Sequence, residues 1–224
     1  MSASGRRPTH LPPDLRARVL AEVARSPSPT RHEHRTRTAL LVAGGTLATI
    51  ALFFATGGPW QGSRPLELVV FSSGLALLAA IALTRVSSGA SRSMLGPPRQ
   101  VLLLGASLAP PALAVVALVA AAIWPEHAAE DVSSQTHAAC GMLTVVQGAL
   151  PLVVLLLPRR GSDPIHPAVT GAALGIAAGA WTATMAYLRC PHAAAAHCIV
   201  AHVTPTLALA AAGALVGRSL LKLR

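Results

Sequence analysis

The side chains best suited to chemistry are cysteines and histidines, and they gather in two short stretches. In the first, His137 and Cys140 are three residues apart and share a face if the stretch is helical. In the second, Cys198 and His202 are four residues apart, and Cys190, His192 and His197 come shortly before them. Thiolate and imidazole together suit soft or borderline cations such as zinc, copper or cadmium. The candidate metal ligands are therefore His137, Cys140, Cys190, His192, His197, Cys198 and His202.

The elements that must position these residues are long apolar stretches. Of the 224 residues, 53% are apolar and 12% charged, and the mean hydropathy is +0.56. Soluble domains carry about 25% charged residues, so an ordinary soluble domain is excluded, as are a disordered chain and a disulfide-stapled secreted fold. Six stretches read as helices that cross the roughly 30 Å of bilayer hydrocarbon. They are residues 39–56, 66–84, 101–124, 137–157, 166–188 and 195–217.

The placement of positive charge predicts the orientation of these spans. The formal net charge is +10, and 16 of the 18 Lys and Arg residues lie before the first span, in the second and fourth connections or after the last span. The other connections contain only Arg64 and Arg189. Because Lys and Arg concentrate on the cytoplasmic side, both termini are predicted to be cytoplasmic and both Cys/His stretches external. The sequence thus predicts an all-α integral membrane protein with six transmembrane helices, divided into residues 1–38, 39–217 and 218–224.

The external Cys/His cluster has three interpretations that the sequence leaves open. An oxidising compartment favours a disulfide, and a bond between Cys140 and Cys190 would tie the third connection to the fifth. Three cysteines leave one unpaired, which makes Cys198 a further candidate for redox sensing. Binding of zinc or another soft metal is the second interpretation, although no C-x-x-C spacing is present. The third is ordinary packing of small buried residues and interfacial histidines.

The first 38 residues form a segment of different composition. Asp14 suits a helix N-terminus, and apolar residues then recur at helical spacing through residues 15–24, which predicts a short cytoplasmic amphipathic helix. A helix of about ten residues is too short to be stable alone, so a protein groove is at least as good a partner as the bilayer surface. The basic run at 31–37 suits anionic lipid headgroups. The candidate partner-binding residues are Leu15, Arg16, Val19, Leu20 and Val23.

Several functions are disfavoured by what the spans contain. Mid-span polarity is limited to hydroxyl groups and Gln147, whereas pumps, ion-coupled carriers and intramembrane proteases need ionisable groups at membrane depth. No catalytic constellation is apparent, so the chain is predicted not to be an enzyme and to need no cofactor. With 3% aromatic residues, it lacks the basic and aromatic pattern of a nucleic-acid surface. Small residues four apart in the last two spans favour packing within one bundle over a homodimer interface.

Particular residues carry a resemblance to a known family. The chain resembles, over its whole length, the NrsF-like family of six-span membrane anti-sigma factors. The resemblance rests on Leu-Pro-Pro-Asp-Leu-Arg-Ala-Arg-Val-Leu at residues 11–20 before an Arg-rich stretch, on Cys140, on Arg159-Arg160 before a small-residue span, and on Cys190-Pro191.

The resemblance implies a function without catalysis. It implies a multi-pass protein of the bacterial inner membrane whose N-terminal segment binds an extracytoplasmic-function (ECF) sigma factor, with Leu15, Val19 and Val23 in contact. It also implies that Cys140 and Cys190 take part in sensing, while Cys198 and the many histidines depart from a two-cysteine pattern. Oxidant, metal or light-generated stress would then release the sigma factor. The alternative is a membrane metal-binding or thiol-redox protein that acts at the periplasmic face.

Overall fold

The computed structural model describes residues 31–55, 64–88, 99–160 and 165–222, together with positions 14, 17, 18, 20 and 21. Every regular element in this part of the chain is helical, and no strand occurs in it. A 3₁₀ turn, Leu157–Arg159, follows the fifth helix. The prediction of an all-α chain is confirmed for these residues. The helices are α1 (Arg31–Ala55), α2 (Leu66–Ser88), α3 (Arg99–Ile123), α4 (Pro125–Ala128), α5 (Ser134–Leu156), α6 (Pro167–Arg189) and α7 (Ala195–Leu220).

Five of the described helices are long and apolar enough to cross a membrane. They are α2, α3, α5, α6 and α7, and the apolar segments within them begin and end within three residues of the predicted spans. The first predicted span lies in α1, which includes the apolar segment Ala39–Ala48. Five of the six predicted spans are therefore confirmed by length and composition, and the first stays a prediction.

Helix α6 is the centre of the bundle. Within its span, 78% of the residues are buried inside the protein, against 28–39% for the other four spans. It packs against α1, α2, α3, α5 and α7. Its sequence is rich in Gly, Ala and Thr, and such small residues let five neighbouring backbones approach one helix closely.

Helices α6 and α7 approach each other closely through their glycine faces. A methyl group added at Gly175 would overlap the backbone carbonyl of Leu209, and one added at Gly171 would overlap that of Gly213. A methyl group at Gly217 would lie 2.6 Å from the carbonyl oxygen of Pro167. The small-residue faces predicted from the sequence are thus used inside the chain, where they bring two backbones into contact.

Successive long helices from α2 onward run in alternating directions. The starts of α2, α5 and α7 and the ends of α3 and α6 meet at one end of the bundle, because Arg64 contacts Tyr187 and Cys190 contacts His197 there. We call this end, with residues 64–65, 124–133 and 190–194, the site end. The opposite end, where α6 starts and α7 finishes, is the basic end and contains Arg85, Arg159, Arg160 and Arg218.

Candidate functional site

Three potential ligand atoms come together at the site end. Cys140 on α5, Cys190 just after α6 and His197 on α7 each offer one atom, and these atoms all lie within 4.8 Å of one another. The Cys190 Sγ is 3.2 Å from the His197 Nε2. Cys190 and His197 are buried, and Cys140 is partly buried. Cys140 thus joins two residues that lie 50 and 57 positions later in the sequence, and we call this compact group the CCH site.

Local structure holds each member of the CCH site in place. The Ser133 hydroxyl caps α5 by accepting a hydrogen bond of 3.2 Å from the Thr136 backbone N–H, so Cys140 lies in the second turn of a capped helix. Pro191 favours an extended Cys190, which ends α6. The Cys190 N–H still donates to the Ala186 carbonyl at 2.8 Å. The Cys190 backbone therefore continues the hydrogen bonding of α6 and moves with it.

Helix α7 reaches the site through a π-helical turn, Ile199–Val203. Pro205 has no N–H and cannot donate to the Ala201 carbonyl as an α-helix would require. The Thr144 hydroxyl on α5 approaches that carbonyl instead, at 3.2 Å, and also the Cys140 carbonyl at 2.8 Å. The widened turn and this contact fix how the first turns of α7, with His197, face α5.

Three histidine rings meet around that of His197. The His137 ring stacks on it with centroids 4.9 Å apart, and the His192 and His202 rings approach edge-on at 5.2 and 5.1 Å. Among the described residues, three buried nitrogens of this group have no hydrogen-bond partner: His137 Nε2, His197 Nδ1 and His202 Nε2. Buried polar atoms are normally satisfied, so these nitrogens mark a place where a ligand would gain contacts.

An acidic residue orients the outer histidine. The Glu130 carboxylate lies 2.8 Å from His192 Nδ1 and links the connection before α5 to the connection before α7. A carboxylate on one ring nitrogen fixes which nitrogen faces inward, as in many metal sites. The role of Glu130 is not visible in the sequence, because nothing in the local pattern relates it to a histidine 62 residues later.

A buried cation stands beside the thiols. Arg64 is only 4% exposed, and its Nη2 donates to the Tyr187 carbonyl at 3.1 Å. Burial lowers the pKa of Arg64, and the neighbouring Cys190, Cys198 and Glu130 act in the opposite direction. Sequence reasoning used Arg64 only for orientation. The sequence did contain a signal for a special role of Arg64, because this residue is a lone base beside a proline at the start of an apolar helix.

Burial favours the protonated form of the Cys190 thiol. All three cysteines are free, and burial raises the pKa of Cys190 to about 12 despite a backbone hydrogen bond from His192 and the nearby Arg64 charge, which lower it. A metal ion that binds here must therefore displace a proton from Cys190. Two thiols and one imidazole suit zinc or another soft metal, so the residues fit such an ion. The nearby Cys140 and Cys190 sulfurs equally suit a disulfide after a small movement.

The other predicted site residues have different positions. His137, His192 and His202 surround His197 through ring contacts and lie outside the group of three ligand atoms. The Cys198 Sγ instead faces the His192 carbonyl at 3.9 Å, so Cys198 is separate from the CCH site. Of the partner-binding candidates, Leu20 is helical and 59% exposed. The candidates outside the described residues are Leu15, Arg16, Val19 and Val23.

Comparison with known proteins identifies the family. The sequence model of the NrsF family, described as negative regulator of sigma F, matches residues 23–223. The chain belongs to the NrsF family. Searches of curated proteins and of solved structures give no match. Membership implies that the protein is a negative regulator of a sigma factor and has such a factor as its partner, and NrsF proteins are regulators and not an enzyme family.

Proposed function

We propose that this NrsF protein is a membrane-bound anti-sigma factor controlled from the far side of the membrane. Residues 1–38 hold an ECF sigma factor at the cytoplasmic face of a bacterial inner membrane. Oxidant, metal or light-generated stress acts on the Cys/His cluster at the outer face, and the sigma factor is then released. The observation that carries this proposal is the CCH site, which lies at the end of the bundle opposite the basic connections.

The proposal needs six spans, with α1 as the first. Leu41, Val42, Gly45 and Thr46 form the half-buried face of α1, and Gly45 contacts Trp181 near the middle of α6. Such a contact supports an α1 that lies at the same depth as the other spans. Residues 39–217 are then the membrane domain, and both residues 1–38 and residues 218–224 are cytoplasmic.

Reporter fusions test this topology. Fusions ending at residues 30, 92 and 163 are expected to be active only with a cytoplasmic reporter, and fusions ending at residues 60 and 130 only with a periplasmic reporter. A fusion ending at residue 60 that reports the cytoplasm would refute the six-span arrangement, because α1 would then not cross the membrane.

Variants of the tail test the partner segment in the full-length membrane protein. The double variant Leu15→Asp/Val19→Asp places two charges on the predicted apolar stripe and is expected to abolish capture of ECF sigma factors from the host. Ala21→Asp places a charge on the opposite side of the same predicted helix and is the matched control. Equal capture by both proteins would show that the stripe is not the binding surface.

The energy available at the site is of the required size. A stimulus that moves the sigma factor from about 1% to 99% free must favour the released arrangement by about 5.5 kcal/mol. One disulfide contributes about 2–4 kcal/mol and a bound structural metal about 10 kcal/mol or more, although only the part that differs between the two arrangements counts. A single bound metal ion can therefore drive release fully, whereas one disulfide alone shifts the equilibrium only part of the way.

A reporter gene under sigma control tests the sensing role. Cys140→Ser/Cys190→Ser is expected to abolish induction by stress, whereas Cys198→Ser, outside the CCH site, is expected to retain most of it. A double variant that is induced like the wild type would overturn this role for the pair.

A second candidate function follows from the same ligand group. The protein would be a metal-binding or thiol-redox protein acting at the periplasmic face, with the tail as a membrane anchor. The closely spaced thiols and imidazole favour it. If Cys140→Ser/Cys190→Ser impairs metal or thiol handling and leaves sigma-dependent transcription unchanged, this second function replaces the first.

A further inference from the structure

One side of α1 faces the bundle through a glycine. Leu41, Val42, Gly45 and Thr46 are half-buried, while Gly44 lies on the exposed side. A methyl group added at Gly45 would be 3.1 Å from the ring of Trp181, tighter than an ordinary contact, whereas one at Gly44 would meet nothing within 4 Å. The absence of a side chain at residue 45 thus brings the α1 backbone directly against the indole.

Trp181 connects three helices. The residue belongs to α6, its ring is 4% exposed, and its Nε1–H donates to the Thr84 hydroxyl of α2 at 3.1 Å. The ring also belongs to the main apolar cluster, with Leu83, Leu152 and Leu174 among its members. A ring held on all these sides cannot turn independently, so a shift of α6 is passed to the α1 backbone at Gly45.

Continuous helix lies on both sides of this contact. From Trp181 to Cys190, α6 covers nine residues, or about 13 Å, and the Cys190 N–H is bonded to the Ala186 carbonyl. From Gly45 back to Arg31, α1 covers fourteen residues, or about 21 Å, without a break. The CCH site is therefore connected to the start of α1 through α6, the Gly45–Trp181 contact and α1 itself, while α1 also packs on α2 and α5.

We propose that the Gly45–Trp181 contact is the joint through which a change at the CCH site reaches the sigma-binding tail. Bridging Cys140 to Cys190 pulls on the end of α6, Trp181 moves with α6, and α1 follows and displaces residues 1–30. This inference rests on the proposed function for its consequence, the release of a sigma factor. The movement of α1 that follows a change at Cys190 depends only on the contacts described above, not on the proposed function.

Adjacent glycines supply a matched pair of variants. Gly45→Leu places a side chain between α1 and the indole and is expected to separate them, whereas Gly44→Leu adds the same side chain on the exposed side. Both variants are made in a Cys198→Ser background so that Cys140 and Cys190 are the only thiols. Gly45→Ala, which adds one methyl group, serves as a milder variant if Gly45→Leu does not insert properly.

The probe is phenylarsine oxide, which joins two neighbouring thiols as an arsenic dithiolate and releases one water without any oxidant. Hydrogen exchange of residues 31–38 is measured before and after bridging in membranes. We expect a change of about threefold or more in the parent protein and in Gly44→Leu, and a much smaller one in Gly45→Leu. Unchanged exchange protection in α6 and α7 establishes that the variant is folded.

Sigma binding is measured in the same samples. Bridging is expected to weaken it about tenfold or more in the parent and in Gly44→Leu, and to leave it nearly unchanged in Gly45→Leu. Equal exchange responses in the two glycine variants, or no response of residues 31–38 in the parent, overturn the inference. If no protein captures a sigma factor, the proposed function fails, and the exchange comparison still decides whether Gly45 couples α6 to α1.

Discussion

The contact between Thr144 and α7 leads to a quantitative prediction. Thr144 is 3% exposed, and its hydroxyl approaches the Ala201 carbonyl at 3.2 Å, opposite Pro205, which has no N–H to offer. Thr144→Val keeps the shape of the side chain and removes the one hydroxyl donor that the Ala201 and Cys140 carbonyls share. Thr184 on α6 is a matched control, because it is 2% exposed and its hydroxyl donates to the Ala180 carbonyl of its own helix at 2.9 Å.

The expected magnitude follows from the difference between these two hydroxyls. Hydrogen bonds between helices in membranes average about 0.6 kcal/mol and reach about 1.7 kcal/mol. A carbonyl left unsatisfied in a buried position costs about 1–3 kcal/mol. We therefore expect Thr144→Val to lower the free energy of unfolding by about 1–2 kcal/mol, or roughly five- to thirtyfold in the equilibrium constant. Thr184→Val is expected to change it by less than about 0.5 kcal/mol, since the helix itself supplies the Ala180 carbonyl with a donor.

Equilibrium unfolding in mixed micelles measures both values. The purified protein is titrated with sodium dodecyl sulfate in a mild detergent, and helix content is followed by far-UV circular dichroism. A Thr144→Val protein as stable as Thr184→Val would refute the reasoning, because it would show that the π turn of α7 needs no donor from α5.

Two further predictions concern the helix contact and the ligand group. Gly175→Ala is expected to lower the free energy of unfolding by about 1–3 kcal/mol in the same assay, because its methyl group meets the Leu209 backbone, which cannot move aside alone. Gly141→Ala, whose methyl group would lie 3.8 Å from the Ala201 Cα, should change it little, and equal losses in both would contradict the packing described. Cys190→Ser is expected to abolish the thiolate-to-metal absorption band on adding Co²⁺, and Cys198→Ser to retain it. Loss of the band in Cys198→Ser alone would place the ligands elsewhere.

Much of the fold was predictable because a bilayer imposes simple length and composition requirements. Five spans follow from runs of apolar residues, and their ends agree with the sequence prediction within three residues. The first predicted span, within α1, stays a prediction. The glycine faces of α6 and α7 were also visible as a spacing of four, since close backbone approach has few other sequence solutions.

The candidate site was predictable in its residue types and only partly in its membership. Sequence reasoning grouped seven Cys and His residues, and the structure brings ligand atoms from Cys140, Cys190 and His197 within 4.8 Å. It could not separate Cys198 from the others, because the π turn alters which residues of α7 face α5. Nor could it find Arg64 as the buried cation, since burial there depends on how α2 meets the end of α6.

The sequence by itself determined the number of chemically suitable side chains, the apolar helices and the asymmetry of the arginines, because each of these is a property of residue type and local spacing. Only the tertiary structure decided which sulfurs and nitrogens are neighbours, which hydroxyl serves the carbonyl opposite Pro205, and that Gly45 lies against Trp181 while Gly44 does not. Such choices depend on the rotation of each helix about its own axis. That rotation is set by the packing of all its neighbours at once, and no local pattern encodes it.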